Sequence, residues 1–311
     1  MKTTDSWAHA RRLGGLRRFA LAITVFNILG HTLFGFEQSW AQPLASLATA
    51  YSCELLVEWM DARAAGRRAR FLQSIPELVN CLLPTHITGL AVAMLLYSSD
   101  RLLPVMFASA VAVASKATIR HVVNGHARHV FNPSNFGITV TLLMFPWVGI
   151  APPYHFTENL PAPGYWILPL IICISGTMVN LRFTGRTAVI LGWCGGFLAQ
   201  AVVRNLVFGS SFVAALNPMT GVAFVLFTFY MITDPATTPF QNRGQLFFGL
   251  AVAAVYGLLV TLHVVFGFFF ALTLVSAVRG VALYVRGLVP ACSTTVPASP
   301  VPATVRKAES V

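Results

Sequence analysis

The feature that most constrains this chain is a succession of long apolar runs, each cut off by a short segment holding arginine or lysine. Runs of about 20 residues match the hydrocarbon thickness of a bilayer when the chain rises 1.5 Å per residue. Inside hydrocarbon every backbone amide and carbonyl must find its partner within the protein, which leaves helices or a closed barrel. These runs are continuous rather than alternating, so helices are expected. Composition agrees: 56% of the 311 residues are hydrophobic and only 10% charged, where soluble domains carry about a quarter charged. A water-soluble domain is the losing reading.

Apolar stretches cover 19–36, 43–60, 75–98, 102–119, 136–151, 165–179, 188–203, 212–232 and 246–285. The last is long enough for two crossings, with Thr261, His263 and Gly267 as the expected turn, so the expected fold class is an all-α integral membrane protein of about ten transmembrane helices. Charge gives a separate test. With the N-terminus inside, the inner loops hold Arg63, Arg67, Arg68, Arg70, Lys116, Arg120, Arg128, Arg182, Arg186, Arg243, Arg279, Arg286, Arg306 and Lys307, and the outer ones only Arg101 and Arg204. Such a bias places both termini in the cytoplasm and the protein in the cell inner (plasma) membrane. The net charge of +11 therefore reads as a topology signal and not as a nucleic-acid surface.

Residues 1–18 read as a basic cytoplasmic N-terminus flanking an uncleaved first span, in preference to a twin-arginine or cleavable signal. Residues 19–151 form a first five-helix half, 152–164 an external loop, 165–289 a second five-helix half, and 290–311 a Pro/Ala/Ser/Thr-rich, disordered cytoplasmic tail. An odd number of spans per half starts the second half from the opposite face, the arrangement of an inverted repeat. Asn132-Pro133 and Asn217-Pro218 echo each other. The run 165–179 is short and holds Ser175, Gly176 and Thr177, as a broken, re-entrant or tilted helix would.

Two loops stand out as candidates for chemistry, FNPSNFG at 131–137 and TDPATTPFQNRGQLFFG at 233–249. Asn132 before Pro133 is an N-cap followed by proline at the first helical position, so the fifth helix should start there and present a positive dipole end. Such an end holds an anion or a polar ring edge. In the second loop Pro235 and Pro239 stop a span, while Asp234, Thr237, Thr238, Asn242 and Arg243 supply donors and acceptors. Both loops fall on the inner side, where they would line one pocket; as plain helix ends they would look the same.

Other polar residues have blander readings. His121, His126 and His129 suit a headgroup boundary better than a metal. Glu54 and Glu58 lie four apart on one face; Glu58 is close to the membrane edge with Asp61 and Arg63 nearby, so interfacial pairing is favoured over an ion path. His31, Glu77, His86 and His263 form a proton relay or, separately, interhelical hydrogen bonds. Cys53, Cys81, Cys173, Cys194 and Cys292 lack CxxC or paired spacing and read as packing thiols.

FNPSNFG resembles the FNPxxxG segment, and TDPATTPFQNRGQLFFG the TDPxTxxxxNRGxLxFG segment, of the RnfD and NqrB subunits, membrane components of ion-coupled electron-transport complexes. The whole chain is most similar to the UnbU-type membrane proteins of enediyne biosynthesis clusters, and motif order and spacing fit across nearly its full length. The resemblance implies a membrane electron-transport subunit carrying riboflavin or FMN non-covalently among its helices, with covalent FMN on the outer face. For the covalent flavin the sequence departs from the pattern: the outer loop APPYHFTENLPAPGY offers only Tyr154, Thr157 and Tyr165 as hydroxyls, and Ser175-Gly176-Thr177-Met178 lies within a span. No covalent flavin is expected.

On the non-covalent site, Asn132, Pro133, Asn135, Gly137, Asp234, Thr237, Thr238, Asn242, Arg243 and Gly244 become the expected cofactor-binding residues. Asn132, Asn135 and Thr237 would bond the ring or ribityl chain, Arg243 would stabilise the reduced form, and Asp234 would fix the loop or orient Arg243. The chain would be a redox subunit and not a complete oxidoreductase, with the lipid bilayer, redox proteins or other membrane subunits as partners and no nucleic acid. Two rivals remain: an inverted-repeat transporter of a metabolite or ion without flavin, and a scaffold that recruits pathway enzymes to the membrane.

Overall fold

The computed structural model describes residues 2–123, 126–152 and 156–288. The expected tail, 290–311, with Cys292, lies outside the described residues. Every expected apolar stretch contains helix. The first half comprises α1 (Lys2–Leu29), α2 (Ala41–Ala64), α3 (Ile75–Leu95), α4 (Leu103–Thr118) and α5 (Pro133–Met144). The second comprises α6 (Gly164–Val179), α7 (Thr187–Phe208), the short pair α8 (Phe212–Leu216) and α9 (Val222–Leu226), α10 (Asn242–Thr261) and α11 (Gly267–Leu288). α1 starts at Lys2, so helix runs through the basic N-terminal segment into the first apolar stretch.

Among the described residues six helices are long and apolar enough to cross a membrane, or seven if one bent pair counts as a span. The chain is thus an all-α, multi-pass membrane protein. α2 is long enough but carries Glu54, Glu58, Asp61 and Arg63. α5, expected over 136–151, has only 12 residues, about 18 Å of helix, short of the roughly 30 Å hydrocarbon thickness. Of the readings open for 165–179, a broken helix is not the one found. That segment continues through a π-helical turn, Asn180–Thr184, to make a helix of 21 residues. The broken element is Phe212–Thr220 with Val222–Met231, bent by 69°. Pro218 lacks an amide to continue the ladder, and Gly221 is extended at φ −85°, ψ 143°. The last long run turns between α10 and α11, where His263 and Phe266 take positive φ of 59° and 60°.

The two halves share local devices. α1 ends in a π turn, Gly30–Phe34, closed by left-handed Gly35, whose amide donates to Gly30 O; α6 ends in its π turn closed by left-handed Gly185, whose amide donates to Asn180 O. α1 packs on α3, α2 on α3 and α4, and α4 on α5; α6 packs on α9, α7 on α10, and α10 on α11, while α5 and α11 meet across the halves. The seam between α7 and α10 is built on small residues. A Cβ on Gly192 would fall inside contact distance of the Leu246 carbonyl, and one on Gly249 inside that of the Val189 carbonyl. Close backbone approach of this kind drives helix association where lipid removes the hydrophobic incentive. Beside the seam, the rings of Trp193, Phe197, Phe224, Tyr256 and Phe268 pack edge-on and stacked, and Trp193 Nε1 donates to Thr228 Oγ1 at 2.9 Å. Outward-facing side chains such as Trp166, Leu191, Leu206 and Val278 are 68–77% exposed, an apolar exterior suited to lipid.

Connecting segments gather into two ends. At one end β1 (Leu96–Tyr97) pairs with β4 (Gly149–Ile150), Gln38 Nε2 donates to Leu96 O at 2.7 Å, the Asn159 amide donates to Phe34 O at 3.2 Å, and Arg101 lies over Trp147. At the other end a hairpin of β2 (Arg120–Val123) and β3 (His126–His129) meets the segment that follows α9.

Candidate functional site

The site is built from the start of α5. Asn132 is extended at φ −62°, ψ 121°, and its Oδ1 accepts from the Asn135 amide at 3.1 Å and from Ser134 Oγ at 2.9 Å. Pro133 follows at the first helical position, as the sequence requires. The expected open dipole end is therefore closed by its own cap. Asn132 Nδ2 reaches across 99 positions to donate to Met231 O at 3.1 Å, which joins the first loop to the end of the broken helix. Asn135 is 2% exposed; its Nδ2 donates to Phe269 O at 3.1 Å and to Thr273 Oγ1 at 2.8 Å on α11, while its Oδ1 is buried with no partner. Gly137 serves packing, because a Cβ there would collide with the Ala108 carbonyl of α4.

The second loop folds around Asp234. Its Oδ1 accepts from the Ala236 amide at 2.9 Å, and its Oδ2 lies 3.1 Å from His129 Nε2. Its carbonyl accepts from the amides and hydroxyls of Thr237 and Thr238, both 1% exposed. Asp234 thus fixes the loop and does not orient Arg243. Asn242 and Arg243 stand exposed on the first turn of α10. A Cβ on Gly244 would press against Pro239.

The cations that do converge here are three that sequence reasoning took for topology signals. Arg186 Nη1 donates to Pro239 O at 2.8 Å and its Nη2 to Pro235 O at 3.1 Å. Arg128 Nη1 donates to Pro235 O at 3.1 Å, and Arg279 Nη1 to Thr237 O at 2.6 Å. Arg128 and Arg186 also lie over the Phe240 ring, 4.2 and 5.6 Å from its centroid, within the reach of cation–π pairs. Buried Gln245 ties the same loop to the turn after α6, donating from Nε2 to Phe240 O and Gly185 O at 3.2 Å each. Burial pushes the Arg186 guanidinium below its ordinary pKa, with Arg128 adding to the effect. Burial likewise lowers His121, helped by Arg279, Arg128 and His129. One signal for Arg279 was present in the sequence: it is the only charge between Arg243 and Arg286, and a lone charge at membrane depth is rarely idle.

The other polar candidates resolve into pairs. Glu58, 2% exposed, takes Arg67 at 2.6 Å and Arg70 at 2.7 Å, not Arg63, which lies over Trp59. Glu54 takes Lys116 at 2.9 Å and Thr85 at 2.7 Å. A cavity of about 190 Å³ lies among Glu54, Glu58, Arg70, Cys81 and Lys116. His86 is held between Thr24 Oγ1 at 2.7 Å and Tyr51 OH at 2.5 Å, and His31 Nδ1 lies 2.9 Å from Asn27 O. These are interhelical and local hydrogen bonds, and among the described residues none of them links His31 to His86. Ser175 Oγ bonds within α6 and to Tyr230, so the segment beginning there is an ordinary turn of helix.

No protein-family model matches the chain, and no curated protein matches it.

Proposed function

We propose that the chain is a membrane-embedded electron-transfer subunit of RnfD/NqrB type that holds riboflavin or FMN non-covalently and no covalent FMN, and that it serves a natural-product, enediyne-like pathway with redox proteins as partners. The observation that carries this reading is that bonds at the edges of the two motif segments, Asn132 to Met231 and His129 to Asp234, hold the segments side by side. The proposed architecture is ten crossings in two inverted five-helix halves, which the paired π turns and the like packing of the halves support.

The junction narrows which residues would hold the ring. Asn132, Asp234, Thr237 and Thr238 spend their polar atoms on the loops. Capacity remains with Asn135 Oδ1, Arg186 Nε and Ser276 Oγ, all buried without a partner. These supply acceptors and donors, and the arginines supply a fixed positive potential in a region shielded from water. A flavin held there would supply one- and two-electron chemistry, and the protein would position it and bias it towards the reduced form.

The test is to purify the chain in mild detergent, record its visible spectrum and identify any released small molecule by mass spectrometry. Released flavin, lost in Asn135→Ala while helix content is kept, is the expected result. Flavin that stays with acid-precipitated protein would contradict the non-covalent assignment. The broken element before the second loop favours a second reading, transport of a metabolite or ion, because discontinuous helices form the substrate sites of inverted-repeat transporters. A colourless, folded preparation would pass the case to it.

A further inference from the structure

We infer that the arginine junction is a binding site for a phosphate group carried by a small ligand or a lipid. Asp234 is the only acidic residue in 119–132, 180–186, 232–243 and 267–288, the segments that surround the junction. Against it stand Arg186 and Arg279, both bound to carbonyls of the one loop. Carbonyl dipoles satisfy donors, but they leave positive charge uncompensated, and an unbalanced charge away from water is costly.

A second observation points the same way. His121 is 7% exposed, and both its ring nitrogens are buried without a partner. It stands directly opposite Arg128 in the β2–β3 register, so the two side chains leave the same face of the hairpin. Arg186, 5% exposed, keeps an unpartnered Nε, and Ser276, 2% exposed and one turn before Arg279 on α11, keeps an unpartnered Oγ. Buried polar atoms are nearly always bonded, and these cluster where charge is also unbalanced. The missing partner is therefore an anion with several acceptor oxygens. Guanidinium forks match phosphate oxygens in number and spacing, which favours phosphate over a single carboxylate.

The site shares Arg186 and Ser276 with the proposed flavin position, but it is argued from charge and unpartnered donors and not from the motif resemblance. The experiment is thermal unfolding of the full chain in mild detergent, titrated with inorganic phosphate against sodium chloride at equal ionic strength. Phosphate should raise Tm by about 3 °C or more beyond chloride. Arg186→Lys, which keeps the charge but loses the fork, should need at least about tenfold more phosphate for half the effect. His121→Gln breaks no hydrogen bond, so it should fold, and its response should weaken severalfold. Equal shifts from phosphate and chloride, or responses unchanged in both variants, would overturn the site. Repeating the titration in phosphatidylcholine nanodiscs with and without phosphatidic acid separates the sources. Loss of the response with phosphatidic acid assigns a lipid headgroup, and a retained response assigns a soluble phosphate ester. A colourless preparation that still responds to phosphate fails the flavin reading and keeps this one.

Discussion

Asn132 shows what one residue can be read to do before a structure is known, and what it cannot. Asparagine before proline at the head of an apolar run spells an N-cap, and the cap is present with the bonds that pattern demands. Its second bond, to Met231 O, had no local signature, because the partner is a backbone carbonyl 99 positions away. Asn132→Ala should therefore cost more than a cap alone, about 2–3 kcal/mol in denaturant or thermal unfolding, since it also leaves a buried carbonyl unpaired. Arg243 and Arg279 show the converse. The motif drew attention to Arg243, which is exposed, while Arg279 is joined to the loop only through the fold. His121 carries a pH prediction. Burial, then Arg279, Arg128 and His129, hold its pKa below the ordinary 6.5. The unfolded chain then binds a proton before the folded one does, so stability is fully present above 6.5 and is lost as pH falls from there through the folded value. Unfolding measured between pH 8 and pH 5 should show this loss, and His121→Gln should flatten it.

Elements were legible where apolar length alone decides them, and less so where packing does. The ends of α3, α4 and α7 fall within a few residues of the apolar runs that announced them. α5 stops early, at Met144, because the following Phe145 to Val148 turn is tied back into the end where β1 and β4 pair. The bend at Pro218 and Gly221 was legible as an Asn-Pro echo but not as a break, since proline at a helix start and proline at a kink look alike in one sequence. The α7–α10 seam offers an internally controlled test. Gly192→Ala and Gly249→Ala each place a methyl against a backbone carbonyl that cannot move aside without parting the helices. Each should destabilise by about 1–3 kcal/mol. Gly195→Ala, on the same helix with nothing within 4 Å of its added Cβ, should be neutral or stabilising by up to about 1 kcal/mol through helix propensity. Equal losses in all three variants, read by thermal unfolding in one detergent, would show that the seam is not what holds these helices together.

At the scale of the whole molecule, charge and contact agree on two ends. Arg17, Arg18, Arg67, Arg70, Arg128, Arg186 and Arg279 lie at the end where the β2–β3 hairpin meets the loop after α9, joined there by contacts such as Arg17 to Asn80 and Arg18 over Phe183. Arg101 lies at the other, over Trp147. Arginine retained on the cytoplasmic side during insertion would produce this partition. Which face each end meets follows as a prediction. In a background with every cysteine replaced by serine or alanine, Gln241→Cys and Ser210→Cys place single thiols at an exposed and a half-buried position flanking α10 and α7. A membrane-impermeant maleimide added to intact cells should label position 210 at once and position 241 only after permeabilisation. The same pattern at positions 63 and 99, in the last turn of α2 and just beyond α3, would extend the alternation through the first half: 99 labelled from outside, 63 protected. Labelling of 241 and 210 from one side would mean that the segment between them does not cross as one bent span. The count of crossings would then fall, and the two halves could no longer be inverted copies of each other.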